Sequence, residues 1–130
     1  MRAAVIERQV PMAHVQTARA GGSPVPVLAD LHWAAAAPWS VRVGFRRDGE
    51  QVFWRFGLDL LAAGVVQPPP GVAEHGPMTV WTAGEQRERI LLGHAQDTDG
   101  RPGRLEARTS DLAEFLADAL RAMAIRTAAV

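Results

Sequence analysis

The sequence predicts an α+β domain, in which a short helix and a C-terminal helix accompany one antiparallel sheet of about seven strands. Residues 41–56 hold two runs of alternating apolar and polar residues around an Asp-Gly pair, which is typical of a β-hairpin. Residues 78–108 hold three more short runs, separated by turn residues. Residues 112–123 repeat apolar side chains at helical spacing, which predicts an amphipathic helix packed on the sheet.

The composition is that of an ordinary folded domain. The 130 residues are 48% hydrophobic and 22% charged, so we expect residues 1–130 to form a single domain with its own core. The chain has no cysteine, which excludes disulfides, thiolate zinc sites and cysteine nucleophiles. Fourteen arginines balance fourteen acidic residues, and this zero net charge argues against binding driven by phosphate neutralisation.

No segment has the character of a membrane span or a signal peptide. The apolar runs are far shorter than the ~20 residues that a spanning helix needs. At the N-terminus, Glu7 and Arg8 follow too soon for a signal core to form. We therefore expect a cytoplasmic protein.

The first third of the chain predicts two strands and a linker. A strand over Ala3–Val15 is interrupted by Pro11, where we expect an edge, a bend or a bulge because proline lacks the ladder donor. Residues 20–24 have the composition of a loop. Val25–Trp33 predicts the second strand, and Ala34–Pro38 a linker.

The third and fourth strands form the predicted hairpin, with Asp48-Gly49 at a turn that requires positive φ at both positions. One face of these strands carries valines and aromatic residues, and the other carries mostly arginines. The first face therefore covers a core, while the second meets solvent or a partner.

The remaining elements follow from changes of period and from turn residues. Leu58–Gly64 predicts a short helix that ends at Gly64 as a C-cap, and residues 65–77 predict an irregular, proline-rich loop. Three strands are predicted next, at Met78–Ala83, Arg87–Ala95 and Arg104–Arg108. The final helix follows, and its N-cap candidates are Thr109, Ser110 and Asp111.

No residues have the spacing of a catalytic or metal site. The four histidines are His14, His32, His75 and His94, and no two of them have the spacing of metal ligands. We interpret each as a structural or a surface residue. Residues 97–100 begin like a calcium loop, but Pro102 and Arg108 stand where glycine and glutamate are required. No nucleophile elbow occurs. We therefore expect a protein that is not an enzyme and uses no cofactor or metal.

Four residues make up the candidate partner surface. Trp81 is out of phase with Met78 and Val80, so it points to the opposite face of the sheet, as a contact anchor or as a residue buried under another element. Arg42, Arg46 and Arg55 share the polar face of the hairpin. They either steer an acidic partner or are solvated, and the residues alone leave both interpretations open.

The order of several motifs over residues 52–120 adds a resemblance. Trp54-Arg55-Phe56 precedes Asp59-Leu60-Leu61-Ala62-Ala63-Gly64, and a proline-rich connection leads to Val80-Trp81 and Ile90-Leu91-Leu92. The closing helix contains Leu112-Ala113-Glu114-Phe115-Leu116. Upstream stand Val25-Pro26-Val27 and Pro38-Trp39. In this order the motifs resemble the SsgA-like family of actinobacterial sporulation and cell-division regulators, over about residues 13–123.

The resemblance implies a fold similar to the Whirly-type scaffold and a homotrimeric, non-enzymatic protein. It also implies a cytoplasmic protein at septum sites that recruits or stimulates the tubulin-like division protein FtsZ, or contacts related family members. Pro11 and the loop over residues 67–77 depart from the family pattern. A single-stranded nucleic-acid-binding module on the same scaffold is the alternative hypothesis, since a fold does not determine its function.

Overall fold

The computed structural model describes residues 4–16, 23–68, 71–96 and 102–128, without the side chains of 126–128. Within these ranges, eight strands form one antiparallel sheet in the order β4-β3-β2-β1-β8-β7-β6-β5, with two helices. The elements are β1 (Val5–Gln16), β2 (Val25–Ala34), β3 (Ser40–Arg47), β4 (Glu50–Gly57), α1 (Leu58–Val66), β5 (Ala73–His75), β6 (Met78–Ala83), β7 (Arg89–His94), β8 (Gly103–Arg108) and α2 (Thr109–Ala128). The predicted α+β class is confirmed.

The β3–β4 hairpin has the predicted register and turn. Arg47 lies opposite Glu50, and Asp48 and Gly49 have φ values of 52° and 80°. This two-residue turn twists in the same sense as the strands. The apolar face of the hairpin is buried throughout, at Val41, Val43, Phe45, Val52, Trp54 and Phe56.

The sheet curls around its core. The Trp54 ring on β4 lies 5.4 Å from the His94 ring on β7, centroid to centroid. Five strand positions separate β4 from β7 in the sheet order, which would be roughly 24 Å in a flat sheet. The inner face is therefore concave, and the outer face, which points away from the core, is convex.

Both helices pack on the inner face. A Cβ on Gly64 would collide with Val80, so glycine at this position lets α1 approach β6 closely. The buried face of α2 consists of the predicted apolar residues Leu112, Phe115, Leu116 and Ala119. Arg8 of β1 further ties α2 to the sheet, because its guanidinium donates to Glu114 at 3.0 Å and to Asp118 at 2.9 Å.

Three expectations about local structure need correction. Gly64 is not the C-cap: α1 continues to Val66, and the backbone N–H of Gln67 donates to the carbonyl of Ala63 at 2.9 Å. The predicted loop after α1 contains β5, which pairs with β6 and makes the strand count eight instead of seven. None of the three N-cap candidates is an N-cap, because Thr109, Ser110 and Asp111 all lie within α2, which begins at Thr109 directly after β8.

Pro11 does not interrupt β1. The register with β2 runs without a break from Val5 to His14, and Pro11 lies opposite Leu28. Pairing with β8 begins only at Ala13, so this part of β1 is an edge on one side, where a residue without an amide proton is tolerated. The predicted turn at 97–100 and most of the loop at 20–24 lie outside the described residues.

Candidate functional site: the outer face of the sheet

The four predicted contact residues all lie on the outer face. In β3 and β4 they alternate with buried core residues, and in β6 Trp81 lies between the buried Val80 and Thr82. The prediction that Trp81 points away from the core is therefore confirmed in its geometry. The structure nevertheless divides the four residues into two regions.

Arg42, Arg46 and Arg55 form the first region, which we call the arginine cluster. Arg42 and Arg55 are direct cross-strand partners, an arrangement of like charges that destabilises a sheet. Arg46 lies four residues further along β3, about 13 Å away. None of the ion pairs among the described residues involves these three arginines. Within the described part of the chain, no carboxylate therefore neutralises their charge by a direct ion pair.

Phe53 belongs to the same region, although sequence reasoning did not single it out. Its side chain is 53% exposed and lies across Gly44, its cross-strand partner. A Cβ on Gly44 would be 2.9 Å from Cε1 of Phe53. The guanidinium carbon of Arg42 lies 4.9 Å from the ring centroid, within the range of a cation–π interaction. The signal in the sequence was an aromatic residue on the polar side of an alternating strand.

A shallow hollow opens beside the arginine cluster. It has a volume of about 90 Å³, and its polar lining consists of His32, Ser40, Arg42 and Arg55. The carboxylate of Glu7 approaches this wall, with Oε1 3.6 Å from Nε2 of His32. Two guanidinium groups and a hydroxyl are donors that suit a carboxylate or another small anion.

Trp81 forms the second region. It is half-buried, and its ring lies above Gly93, where a Cβ would be 3.2 Å from Cζ3 of the indole. Four strands separate β6 from β3, so Trp81 is about 24 Å from the arginine cluster along the sheet. One compact partner segment therefore does not contact both regions.

The histidines do not form a site. His14 packs beside Phe45, with ring centroids 5.3 Å apart, and Nδ1 of His94 accepts a hydrogen bond from the backbone of Gln96 at 3.1 Å. In the part of the chain that the structure describes, no group of three histidine or carboxylate side chains lies close enough to hold a metal ion. No helix over those residues is long and apolar enough to cross a membrane.

The fold and its outer face place the chain among small α+β proteins built on one curled antiparallel sheet. The model of the family described as "Streptomyces sporulation and cell division protein, SsgA" matches residues 27–127. The chain belongs to this family, as its motifs predicted.

Three curated relatives have the same name, sporulation-specific cell division protein SsgB. The protein from Frankia casuarinae is 38% identical over 72 residues, 55% of this chain and 48% of the relative. The protein from Kineococcus radiotolerans is 36% identical over 101 residues, 76% and 59% of the two chains. The protein from Thermobifida fusca is 28% identical over 95 residues, 72% and 65%. The matches thus span between about half and two thirds of each relative.

Two solved structures share the fold. One is described as "Mutations in SsgB correlate to longitudinal cell division during sporulation of Streptomyces coelicolor"; it has a TM-score of 0.74 and 23% identity, over 92% of this chain and 88% of the other. The second is an SsgA-like sporulation-specific cell division protein from Thermobifida fusca, with a TM-score of 0.74 and 21% identity, over 93% and 82%. At these identities the likeness concerns the fold alone.

Proposed function

We propose that this chain is a non-enzymatic regulator of sporulation-specific cell division that acts by protein–protein contact. The observation that carries the proposal is the family match over residues 27–127, together with relatives that are all named as sporulation-specific cell division proteins. Surface contact is the mechanism that the outer face supports, because the half-buried Arg42 lies there beside the exposed ring of Phe53, and neither it nor its neighbour Arg55 forms an ion pair with the residues that the structure describes.

In this proposal the chain positions or stimulates the FtsZ division ring at septum sites. The arginine cluster steers encounter with an acidic partner surface, and Phe53 supplies an anchor of the aromatic type that concentrates binding energy. Trp81 contributes a separate, weaker contact because it is half-buried. A homotrimer in the cytoplasm, and contact with related family members, are parts of the same proposal; sedimentation of the purified chain tests the trimer.

Co-purification from a sporulating host tests the function. A tagged chain, expressed from its own locus, is recovered during sporulation and probed for FtsZ. The Arg42→Ala/Arg55→Ala variant is compared with Arg108→Ala/Arg121→Ala, which removes the same charge from exposed sites elsewhere. We expect FtsZ with the wild type and the control, and about tenfold less with the first variant. Absence of FtsZ from the wild-type fraction, with normal septa in a strain that lacks the gene, would contradict the proposal.

Single-stranded nucleic acid is the second candidate ligand, and one observation favours it. The ring of Phe53 beside Arg42 is the kind of stacking platform on which bases bind. The zero net charge of the chain places it second. A polarisation titration with labelled oligonucleotides at low salt decides, because salt-sensitive binding at micromolar concentration or below would reverse the ranking.

A further inference from the structure

The two terminal strands of the described sheet differ in the length of their free edge. β4 is the terminal strand on one side and has eight residues, whereas β5, on the other side, has three. Natural sheets usually protect an edge by shortness, charged side chains, proline, a bulge or a covering element. β5 is short, but β4 contains no proline and its register with β3 is continuous from Glu50 to Gly57. The protection that β4 does have is charge, from Glu50 and Arg55, and the charge of Arg55 opposes a basic strand but not an acidic one.

The register shows which backbone groups point outward from this edge. In a hairpin with a two-residue turn, the residues that flank the turn exchange hydrogen bonds, and every second pair after them does so too. Phe45–Val52 and Val43–Trp54 are therefore bonded pairs. Phe53 and Arg55 alternate with these residues, so their N–H and C=O groups point away from β3. Each unpaired group belongs to a residue whose side chain is exposed on the outer face.

We propose that the β4 edge binds an extended acidic segment of a partner protein, which adds to the sheet as a ninth strand. Backbone hydrogen bonds to Phe53 and Arg55 would supply affinity, and side chains on the outer face would supply specificity. The proposal rests on the proposed function only in that both use the outer face as the contact surface. It adds the mode of binding and the chemistry of the ligand.

Charge complementarity identifies the incoming segment as acidic. A residue opposite Arg55 on an added strand would have its Cβ about 5 Å away, beside the hollow that Arg42, Arg55 and Ser40 line. A carboxylate there would accept hydrogen bonds from guanidinium groups that form no ion pair within the described chain. Opposite Phe53, a β-branched or aromatic side chain would cover the exposed ring. The expected pattern is acidic and apolar residues in alternation on one face.

The same charges disfavour a second copy of this chain as the added strand. Antiparallel pairing of two β4 strands about Phe53 would place Arg55 of each copy opposite Gln51 of the other. Two arginine clusters, six cations in all, would then face solvent side by side with no carboxylate opposite either Arg55. Like charges brought together in this way oppose association. An acidic segment relieves the repulsion between Arg42 and Arg55, whereas a second copy increases it.

Fluorescence polarisation and hydrogen exchange on the purified full chain test the proposal. The probe is a labelled ten-residue peptide in which aspartate and valine alternate at every second position, with threonine between them, so that both share one face of the strand; the comparison peptide has lysine in place of aspartate. We expect the acidic peptide to bind, the lysine peptide not to bind, and the amides of Phe53 and Arg55 to exchange more slowly in the complex. An acidic peptide with alternate N-methylated amides, which cannot pair along that edge, should bind at least tenfold more weakly.

Variants at Arg55 distinguish the contribution of its charge to peptide binding from that of its backbone N–H. Arg55→Ala should weaken binding about fivefold, as expected for one exposed charge. Arg55→Pro removes the same charge and also the outward N–H, at a position where an edge strand tolerates proline, so it should weaken binding at least tenfold further. Arg108→Ala, which removes an exposed arginine elsewhere, should have no effect. Circular dichroism checks that each variant is folded, and the N-methylated peptide gives the same information without a variant.

Several results would overturn the inference. They are absence of binding at millimolar peptide, equal affinity for the lysine and aspartate peptides, or binding without slower exchange at Phe53 and Arg55. Edge protection that rises with protein concentration and without peptide would identify a second copy as the occupant. Displacement of the labelled peptide by a single-stranded oligonucleotide, at a lower concentration than unlabelled peptide requires, would identify nucleic acid as the occupant. Recovery of FtsZ in cells together with failure of peptide binding would contradict only this inference, and the converse result only the proposed function.

Discussion

Two aromatic residues on the outer face use the same local arrangement in different surroundings. Phe53 lies across its direct cross-strand partner Gly44, and Trp81 lies over Gly93, its diagonal neighbour on β7, so that in each case a missing Cβ makes room for a ring. Phe53 is on the terminal strand β4 and is 53% exposed. Trp81 is on β6, between β5 and β7, and is half-buried.

The neighbours of the two rings show what the difference means. The cross-strand partner of Trp81 is Leu91, which is 5% exposed although it points to the outer face. Apolar residues of a sheet that pack on each other in this way stabilise it. Phe53 instead has Arg42 above its ring and Arg55 two residues further along the strand. We infer that Trp81 serves mainly packing, and that Phe53 and the arginine cluster serve contact at some cost to stability.

The largest change in the free energy of unfolding is expected from variants that fill the space under each ring. A Cβ on Gly93 would collide with Oγ1 of Thr79, its cross-strand partner, and press on the indole of Trp81. Gly93→Ala should therefore lower the free energy of unfolding by about 2 kcal/mol, as overpacking does. Gly44→Ala meets the exposed ring of Phe53 and the end of the Gln51 side chain, both of which can move aside, and should cost less than about 1 kcal/mol. Urea unfolding measures both, and equal losses would contradict the distinction.

A smaller effect is expected from removing the rings. Trp81→Ala should cost about 1.5 kcal/mol, since it uncovers Leu91, whereas Phe53→Ala should cost about 0.5 kcal/mol because half of its surface is already in water. Affinity for the acidic peptide should change in the opposite order, with a loss for Phe53→Ala and little change for Trp81→Ala. Unfolding and peptide titration on the same samples test whether stability and affinity change in opposite orders. If the variant that loses more stability also lost more affinity, this expectation would be refuted.

Much of the fold could be predicted because its signals are local. Alternation around Asp48-Gly49 specified the hairpin, and apolar spacing from Leu112 specified the face that α2 buries. Gly64 was misassigned because its role depends on Val80 of β6, a contact that no local pattern contains. β5 was missed because three residues in a proline-rich stretch are too few to show a period.

The candidate site was predictable in its composition but not in its layout. Alternation alone placed Arg42, Arg46, Arg55 and Trp81 on the outer face. The distance between Trp81 and the arginine cluster depends on the strand order, in which β2, β1, β8 and β7 lie between β3 and β6. That β4 is terminal depends on the same long-range pairing. A strand's own residues do not specify whether it is a central or an edge strand.

The smallest expected effect is a pair of opposite changes in the free energy of unfolding, produced by two arginine variants. Arg55→Ala removes a like charge directly opposite Arg42, so at low salt it should raise the free energy of unfolding by about 0.3 kcal/mol. Arg121→Ala on α2 breaks an ion pair with Asp118, in which Nη1 lies 3.2 Å from Oδ1, and should lower stability by about as much. Both differences should shrink in 0.5 M salt, where the Debye length falls to about 4 Å. Thermal unfolding at two salt concentrations measures this contrast. If Arg55→Ala were destabilising at low salt, the arginines would be stabilising elements of the sheet, and their presence would need no partner to explain it.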